Sequence, residues 1–259
     1  MSSLTLASTP EDAAAVEAVE AHHTQLAGEL AGRVTLLLDA ADRNPGTADG
    51  IRAGLVTFCD DELLPHAAAE EKALYPAAHG TTEARLLVDG MLAEHRRLVS
   101  LVEALRSAPS SVRAAAEARA LQVLFEEHLE KENTLVLPLL AAATNVSLAE
   151  LLAGMHELLG GHGHGHDSEA GDCGGTCACG GSDQADIPVL DVREVPHSIR
   201  HATVFGALDA IAPGGAMMLV APHDPLPLLA QIEGRNPGVF SVEYAERGPE
   251  AWRLQLTHR

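Results

Sequence analysis

The chain has 259 residues, enough for one large domain or two small ones, with 37 acidic against 17 basic side chains and a formal charge of -20. So acidic a chain cannot neutralise a row of phosphates, which excludes a nucleic-acid binder. Its longest apolar run, Leu135 to Ala143, is broken by Pro138 and is too short to span a membrane.

The first 159 residues read as helical, rich in Ala, Leu, Glu and Arg with apolar spacings of three and four. Thr9-Pro10-Glu11-Asp12 supplies an N-cap, a proline at the first helical position and an acid behind it. A first helix runs from there to about Asp42, before Asn44-Pro45-Gly46. A second runs from about Ala48 to Tyr75 and ends at Pro76, a third from Thr82 to Ser107, and a fourth from Ser111 to Leu137. Ser147-Leu148-Ala149-Glu150 is a capping box that opens a short fifth helix to about Leu159. Four long helices with short connections predict an antiparallel, up-down-up-down bundle.

Residues 160–185 hold much glycine and no large apolar side chain, and predict a flexible linker between two domains. They carry His162, His164 and His166, then Cys173, Cys177 and Cys179, which are metal-capable residues without a fixed scaffold; the spacing is a poor match to a zinc ribbon. An adventitious metal-binding spacer and a loading or redox-sensing tether both fit. From residue 186 the pattern changes to β-α-β-α-β-β. Strands are expected at Val189–Val192, Ala216–Ala221, Phe240–Tyr244 and Trp252–Leu256, with helices at Ser198–Ile211 and Pro225–Glu233. That is a small two-layer α/β domain. The overall expectation is multidomain, α and α/β: a bundle at 1–159, the linker, and the α/β domain at 186–259. The start of the chain has neither a basic opening nor an apolar core, and the cysteines form no disulfide framework, so a cytoplasmic location is expected.

The fourteen histidines bear on function. Each long helix puts one on its apolar stripe. The first stripe is Val16, Val19, His23, Leu26, Leu30, Val34, Leu37, and the second Cys59, Leu63, His66, Glu70, Leu74. The third is Val88, Met91, His95, Leu98, Val102, Leu105, and the fourth Leu121, Phe125, His128, Glu132, Leu135, Leu139. His66 and Glu70, like His128 and Glu132, are four residues apart and can reach a common point. The flanking segments repeat as well: His66-AAA-Glu70-Glu71-x-x-Leu74-Tyr75-Pro76 aligns with His128-LEK-Glu132-Asn133-x-x-Val136-Leu137-Pro138. Two helical hairpins about a pseudo-two-fold axis would gather four imidazoles and two carboxylates. Carboxylates are rarely buried unpaired, and these ligand types on four helices suit two iron or manganese ions. His22, about 100° round the helix from His23, lies off the stripe. Glu71 is assigned to a supporting or solvated role, with Glu71 and His22 kept as secondary candidates for metal ligation; Tyr75 and Met91 are assigned to packing, and His79 and His156 to the surface.

At His23, His66-x-x-x-Glu70, His95 and His128-x-x-x-Glu132 the sequence resembles the hemerythrin-like (HHE cation-binding) family over roughly residues 10–145. The resemblance implies a bridged non-haem di-iron centre in a four-helix bundle, and relatives that bind oxygen, sense redox state, handle iron, or respond to nitric oxide and peroxide. Oxygen carriers of the family place a second histidine one turn from the one matching His95, where this chain has Met91 and Val99. That departure favours sensing, scavenging or turnover over reversible oxygen carriage. Residues 187–257 resemble a small uncharacterised domain often fused to hemerythrin-like domains and similar in fold to TusA-type sulfur carriers. The resemblance rests on LDVREVP, Arg200-His201, Phe205, Asp209, His223-Asp224-Pro225, Pro227-Leu228, Phe240 and Gly248-Pro249-x-x-Trp252. The cysteine such carriers need is missing, since Val195-Pro196-His197-Ser198 stands there. The expected function is binding or sensing of O2, NO or peroxide at two irons, with no nucleic-acid or membrane partner. An enzyme turning over peroxide or NO, and a protein that stores or delivers iron or repairs iron centres, are the alternatives.

Overall fold

The computed structural model describes residues 7–160 and 187–259. The helical region comprises α1 (Pro10–Arg43), α2 (Pro45–Phe58), α3 (Leu64–Ala73), α4 (Tyr75–His79), α5 (Arg85–Arg106), α6 (Ser111–Lys131), α7 (Leu137–Ala142) and α8 (Leu148–Gly160). The expected second helix is α2, α3 and α4 in succession, and the expected fourth is α6 and α7. The second helix starts at Pro45, three residues earlier than predicted, because proline is well suited to the first helical turn. Thr9 caps α1 by accepting from the Asp12 amide at 3.1 Å. Asp12 also accepts from the Ala149 amide (3.0 Å), which ties the start of α8 to the start of α1.

The breaks inside these helices are π turns, at Cys59–Leu63 and Glu132–Val136. Each closes on a Leu-Pro step: the amide of Leu64 reaches the Cys59 carbonyl, and that of Leu137 the Glu132 carbonyl. Pro65 and Pro138 then stand at the start of the next α segment, where a missing N–H is tolerated. Helical structure therefore continues past Pro138, and past Pro76 through α4. The extra residue of a π turn also shifts the phase of the stripe by one. Beyond Glu132 the core takes Val136 and Leu140, and Leu135, predicted to face inward, is half exposed.

The C-terminal region contains β1 (Val189–Asp191), α9 (Arg200–Asp209), β2 (Ala216–Ala221), α10 (Leu226–Arg235), β3 (Phe240–Glu246) and β4 (Trp252–His258). The sheet order is β1-β2-β4-β3, with β1 parallel to β2 and the other pairs antiparallel. This is the small α/β layer expected from the alternation of strands and helices, set beside a helical bundle.

The two regions share a core. Leu26, Leu30 and Leu37 of α1 belong to the same buried apolar cluster as Val204 and Leu208 of α9 and Leu219 of β2. Helix α1 is buried on two faces, one toward the bundle and one toward α9. The second face is formed by Gly28, Glu29, Gly32, Arg33 and Leu36. The helices approach so closely that a Cβ at Gly32 would collide with the Thr203 carbonyl oxygen, and one at Gly206 with that of Glu29. Arg33 closes the joint. Its guanidinium lies over the Phe58 ring at 4.3 Å and donates to Glu29 Oε2 (3.3 Å) and to Asp209 Oδ2 (3.4 Å) across the interface. Asp209 also accepts from Arg235 (3.1 Å), and the Val189 amide donates to Asp39 (2.9 Å).

Candidate metal centre

His23, His66, Glu70, His95, His128 and Glu132 come together inside the bundle, each no more than 3% exposed. They arrive from four directions: His23 from α1, His66 and Glu70 from α3, His95 from α5, and His128 and Glu132 from α6 and the π turn that follows. Glu70 sits between two histidine pairs. Its Oε1 lies 2.7 Å from His66 Nε2 and 3.5 Å from His23 Nε2; its Oε2 lies 3.6 Å from His95 Nε2 and 3.9 Å from His128 Nε2. Glu132 Oε2 spans the same gap, 3.8 Å from His23 Nε2 and 4.0 Å from His128 Nε2. Two triads with metal-compatible spacing result, His23–His66–Glu70 and Glu70–His95–His128, sharing one carboxylate.

The outer nitrogens of three rings are held from behind. His23 Nδ1 is 2.7 Å from Asn133 Oδ1, His95 Nδ1 is 2.8 Å from Glu71 Oε1, and His128 Nδ1 is 3.0 Å from Glu94 Oε2. Lys131 donates to the other oxygen of Glu94. A carboxylate can only accept, so Nδ1 carries the proton in His95 and His128, and Nε2 turns a lone pair inward. Such outer partners fix the tautomer and orientation of metal-binding imidazoles. The support follows the internal repeat. Asn133 and Glu71 each follow a ligand-position glutamate, and each holds the histidine on the first helix of the opposite hairpin. Glu94 precedes His95 and supports His128; in the other repeat that place belongs to His22, whose ring packs edge-on against His66 with centroids 5.0 Å apart. His22 is in neither triad.

Within the protein alone the inner surface does not balance. His95 and His128 face each other Nε2 to Nε2 at 3.0 Å, and the Tyr75 hydroxyl touches both, at 3.3 and 3.1 Å. One hydroxyl proton cannot serve two lone pairs. The 2.7 Å contact of His66 Nε2 with Glu70 Oε1 is an ion-pair approach without hydrogen-bond alignment, and the oxygens of Glu70 and Glu132, Nε2 of His23 and the ring nitrogens of His66 have no aligned hydrogen-bond partner. Burial pushes Glu70 up, yet the imidazoles, His66 foremost, hold it well below the usual carboxylate range. Burial, reinforced by the Glu70 charge, pushes Glu132 well above that range. Two buried carboxylates facing the same imidazoles cannot both stay charged without added positive charge. Orphaned buried oxygens among inward-facing imidazoles fit a pair of cations, and the donor set suits iron or manganese.

Tyr75 was expected only to pack. Its ring is buried, and its hydroxyl belongs to the centre. The signal available in the sequence was the repeat itself, where Tyr75 aligns with Leu137 and so carries an oxygen its counterpart lacks. Met91 is buried in the core and Val99 is half exposed, so neither supplies a further imidazole. His79 is partly exposed and lies 3.2 Å from Asp89. The side chain of His156, and the positions His162, His164, His166, Cys173, Cys177 and Cys179, lie outside the described residues.

The family comparisons agree with this geometry. Residues 14–140 match the hemerythrin HHE cation binding domain, and residues 189–258 match DUF2249, an uncharacterized conserved protein family. The chain therefore carries a hemerythrin HHE cation-binding domain followed by a DUF2249 domain. Neither the curated proteins nor the solved structures give a match. No helix among the described residues is long and apolar enough to cross a membrane.

Proposed function

We propose that the bundle holds a non-haem di-iron centre, with manganese as the other candidate metal, and that it binds or senses O2, NO or peroxide. The ligands would be His23, His66, Glu70, His95, His128 and Glu132. The observation that carries this reading is Glu70, whose two oxygens face two separate histidine pairs, the arrangement of a carboxylate bridging two cations. When bound, iron supplies open coordination positions and redox chemistry for small ligands. The protein orients the imidazoles through Asn133, Glu71 and Glu94, and places the Tyr75 hydroxyl beside the centre. The six ligand-position side chains are buried, which limits access to small molecules.

Sensing is favoured over carriage by two features. The chain lacks the fifth imidazole expected of an oxygen carrier, and α1 bears both His23 and the joint with the α/β domain. A change at His23 therefore acts on a helix that the second domain grips. In this reading residues 1–159 are the sensing bundle, 160–185 the connection, and 186–259 the responding domain. The test is stopped-flow spectroscopy of the anaerobically reduced, iron-loaded chain mixed with O2, NO or hydrogen peroxide. Binding or sensing predicts one stoichiometric optical change. Sustained turnover would assign the centre to an enzyme, and no reaction with any of the three would reject the reading.

A further inference from the structure

The α/β domain has a cavity of about 90 Å³ at the carboxyl ends of the parallel strands β1 and β2. In open α/β sheets this is where ligands bind. Three cation-capable side chains line it, Arg200, His201 and His223, alongside Pro222, Pro225 and Pro227. The prolines present no N–H and make the wall stiff. The helices α9 and α10 begin here, and neither has a side-chain cap on its first turn. Their positive dipole ends add to the charge of the arginine.

Arg200 is held but not neutralised. Its Nη2 donates to the Val195 carbonyl at 2.9 Å, while its Nε is buried without a partner. No carboxylate among the described residues pairs with it. The acids nearby are engaged elsewhere: Asp191 with Arg193 at 2.6 Å, and Asp224 with the Tyr244 hydroxyl at 2.8 Å. An arginine without a carboxylate partner, beside two imidazoles in a protein of charge -20, gives the cavity wall a local excess of cation-capable groups. A cation does not fit: among the described residues, groups of three metal-capable side chains occur only in the bundle.

We propose that this cavity is a binding site for a small tetrahedral oxyanion, held by Arg200 with His201 and His223 and by the first turns of α9 and α10. The ligand chemistry is that of a phosphate group, free or as a small monoester. The site is independent of the metal centre, and its occupant meets the domain on the same helix, α9, that packs against α1.

Trp252, the single tryptophan of the chain, provides the readout. It pairs in register with Ala221, which lines the cavity. The experiment titrates the full-length, metal-loaded protein with inorganic phosphate and, separately, with glycerol 2-phosphate, following Trp252 fluorescence and the His201 and His223 ring resonances. A saturable response is expected, weakened at least about tenfold in Arg200→Gln, which removes charge-assisted bonds. His223→Gln, on an exposed side chain that should not disturb folding, is expected to weaken binding by a smaller factor with metal content unchanged. Tighter binding of the ester than of inorganic phosphate supports the site and assigns its source to an ester; the reverse assigns it to the free ion. No saturable response to either ligand, or equal affinity in both variants and the parent protein, overturns the proposal.

Discussion

Two clusters of charged side chains are buried along α1, and they are completed differently. At the joint with the α/β domain, Arg33 meets Glu29, Asp209 and the face of Phe58, and only its Nε lacks a partner. At the metal centre, less than three turns away along the same helix, Glu70 and Glu132 leave all four carboxylate oxygens without an aligned hydrogen-bond donor. The protein supplies both signs of charge at the joint and an excess of acceptors at the centre. Burial of charge alone therefore does not distinguish a structural ion pair from a ligand site; the unmatched atoms do. The joint leaves a single N–H unmatched between charges of both signs, and the centre calls for cations.

That contrast can be broken most severely at Glu70. Glu70→Ala removes the carboxylate between the two histidine pairs, and elemental analysis should find nearly all bound metal lost. Stripping the parent protein with a chelator should lower Tm by about 10 °C, the shift expected from removing a ligand present at ~1,000 times its Kd, while the variant should not respond. A parent Tm unaffected by chelation would make the centre as self-sufficient as the joint. At the joint, Gly206→Ala forces a methyl group against the Glu29 backbone and should cost about 1–3 kcal/mol. Calorimetry should then show the α/β domain melting separately, with metal content intact; loss of metal would show that the two clusters are not independent. Glu94→Gln keeps an acceptor for His128 but removes the charge behind it, and should weaken metal binding about tenfold in competition assays. Tyr75→Phe should have the smallest effect. Metal content should hold and stability change by less than about 1 kcal/mol, while the optical spectrum of the loaded protein shifts because the hydroxyl near His95 and His128 is gone.

The main features were legible in the sequence because they depend on local patterns. Stripes at spacings of three and four placed His23, His66, His95 and His128 on inward faces, and the alternation of strands and helices after residue 186 set out the α/β domain. Features that depend on a partner from elsewhere in the chain were not legible. The second buried face of α1 looks, in isolation, like an ordinary mixture of Gly28, Glu29, Gly32 and Arg33, and has meaning only once α9 is against it. The Nδ1 partners Asn133 and Glu94 sit on other helices from the rings they support. The π turns conceal themselves differently. A single inserted residue leaves the composition unchanged but moves the stripe, so Leu135 looked buried and Val136 took its place. Leu64-Pro65 and Leu137-Pro138 were the available cue, since a proline within a helical pattern requires some local rearrangement.

The most direct test of the central claim is a Mössbauer spectrum of the full-length protein loaded with ⁵⁷Fe during expression. A carboxylate-bridged pair held by His23, His66, Glu70, His95, His128 and Glu132 predicts about two irons per chain in a spin-coupled, diamagnetic oxidised state. Isolated paramagnetic ferric ions, or iron well below one per chain after full loading, would contradict it.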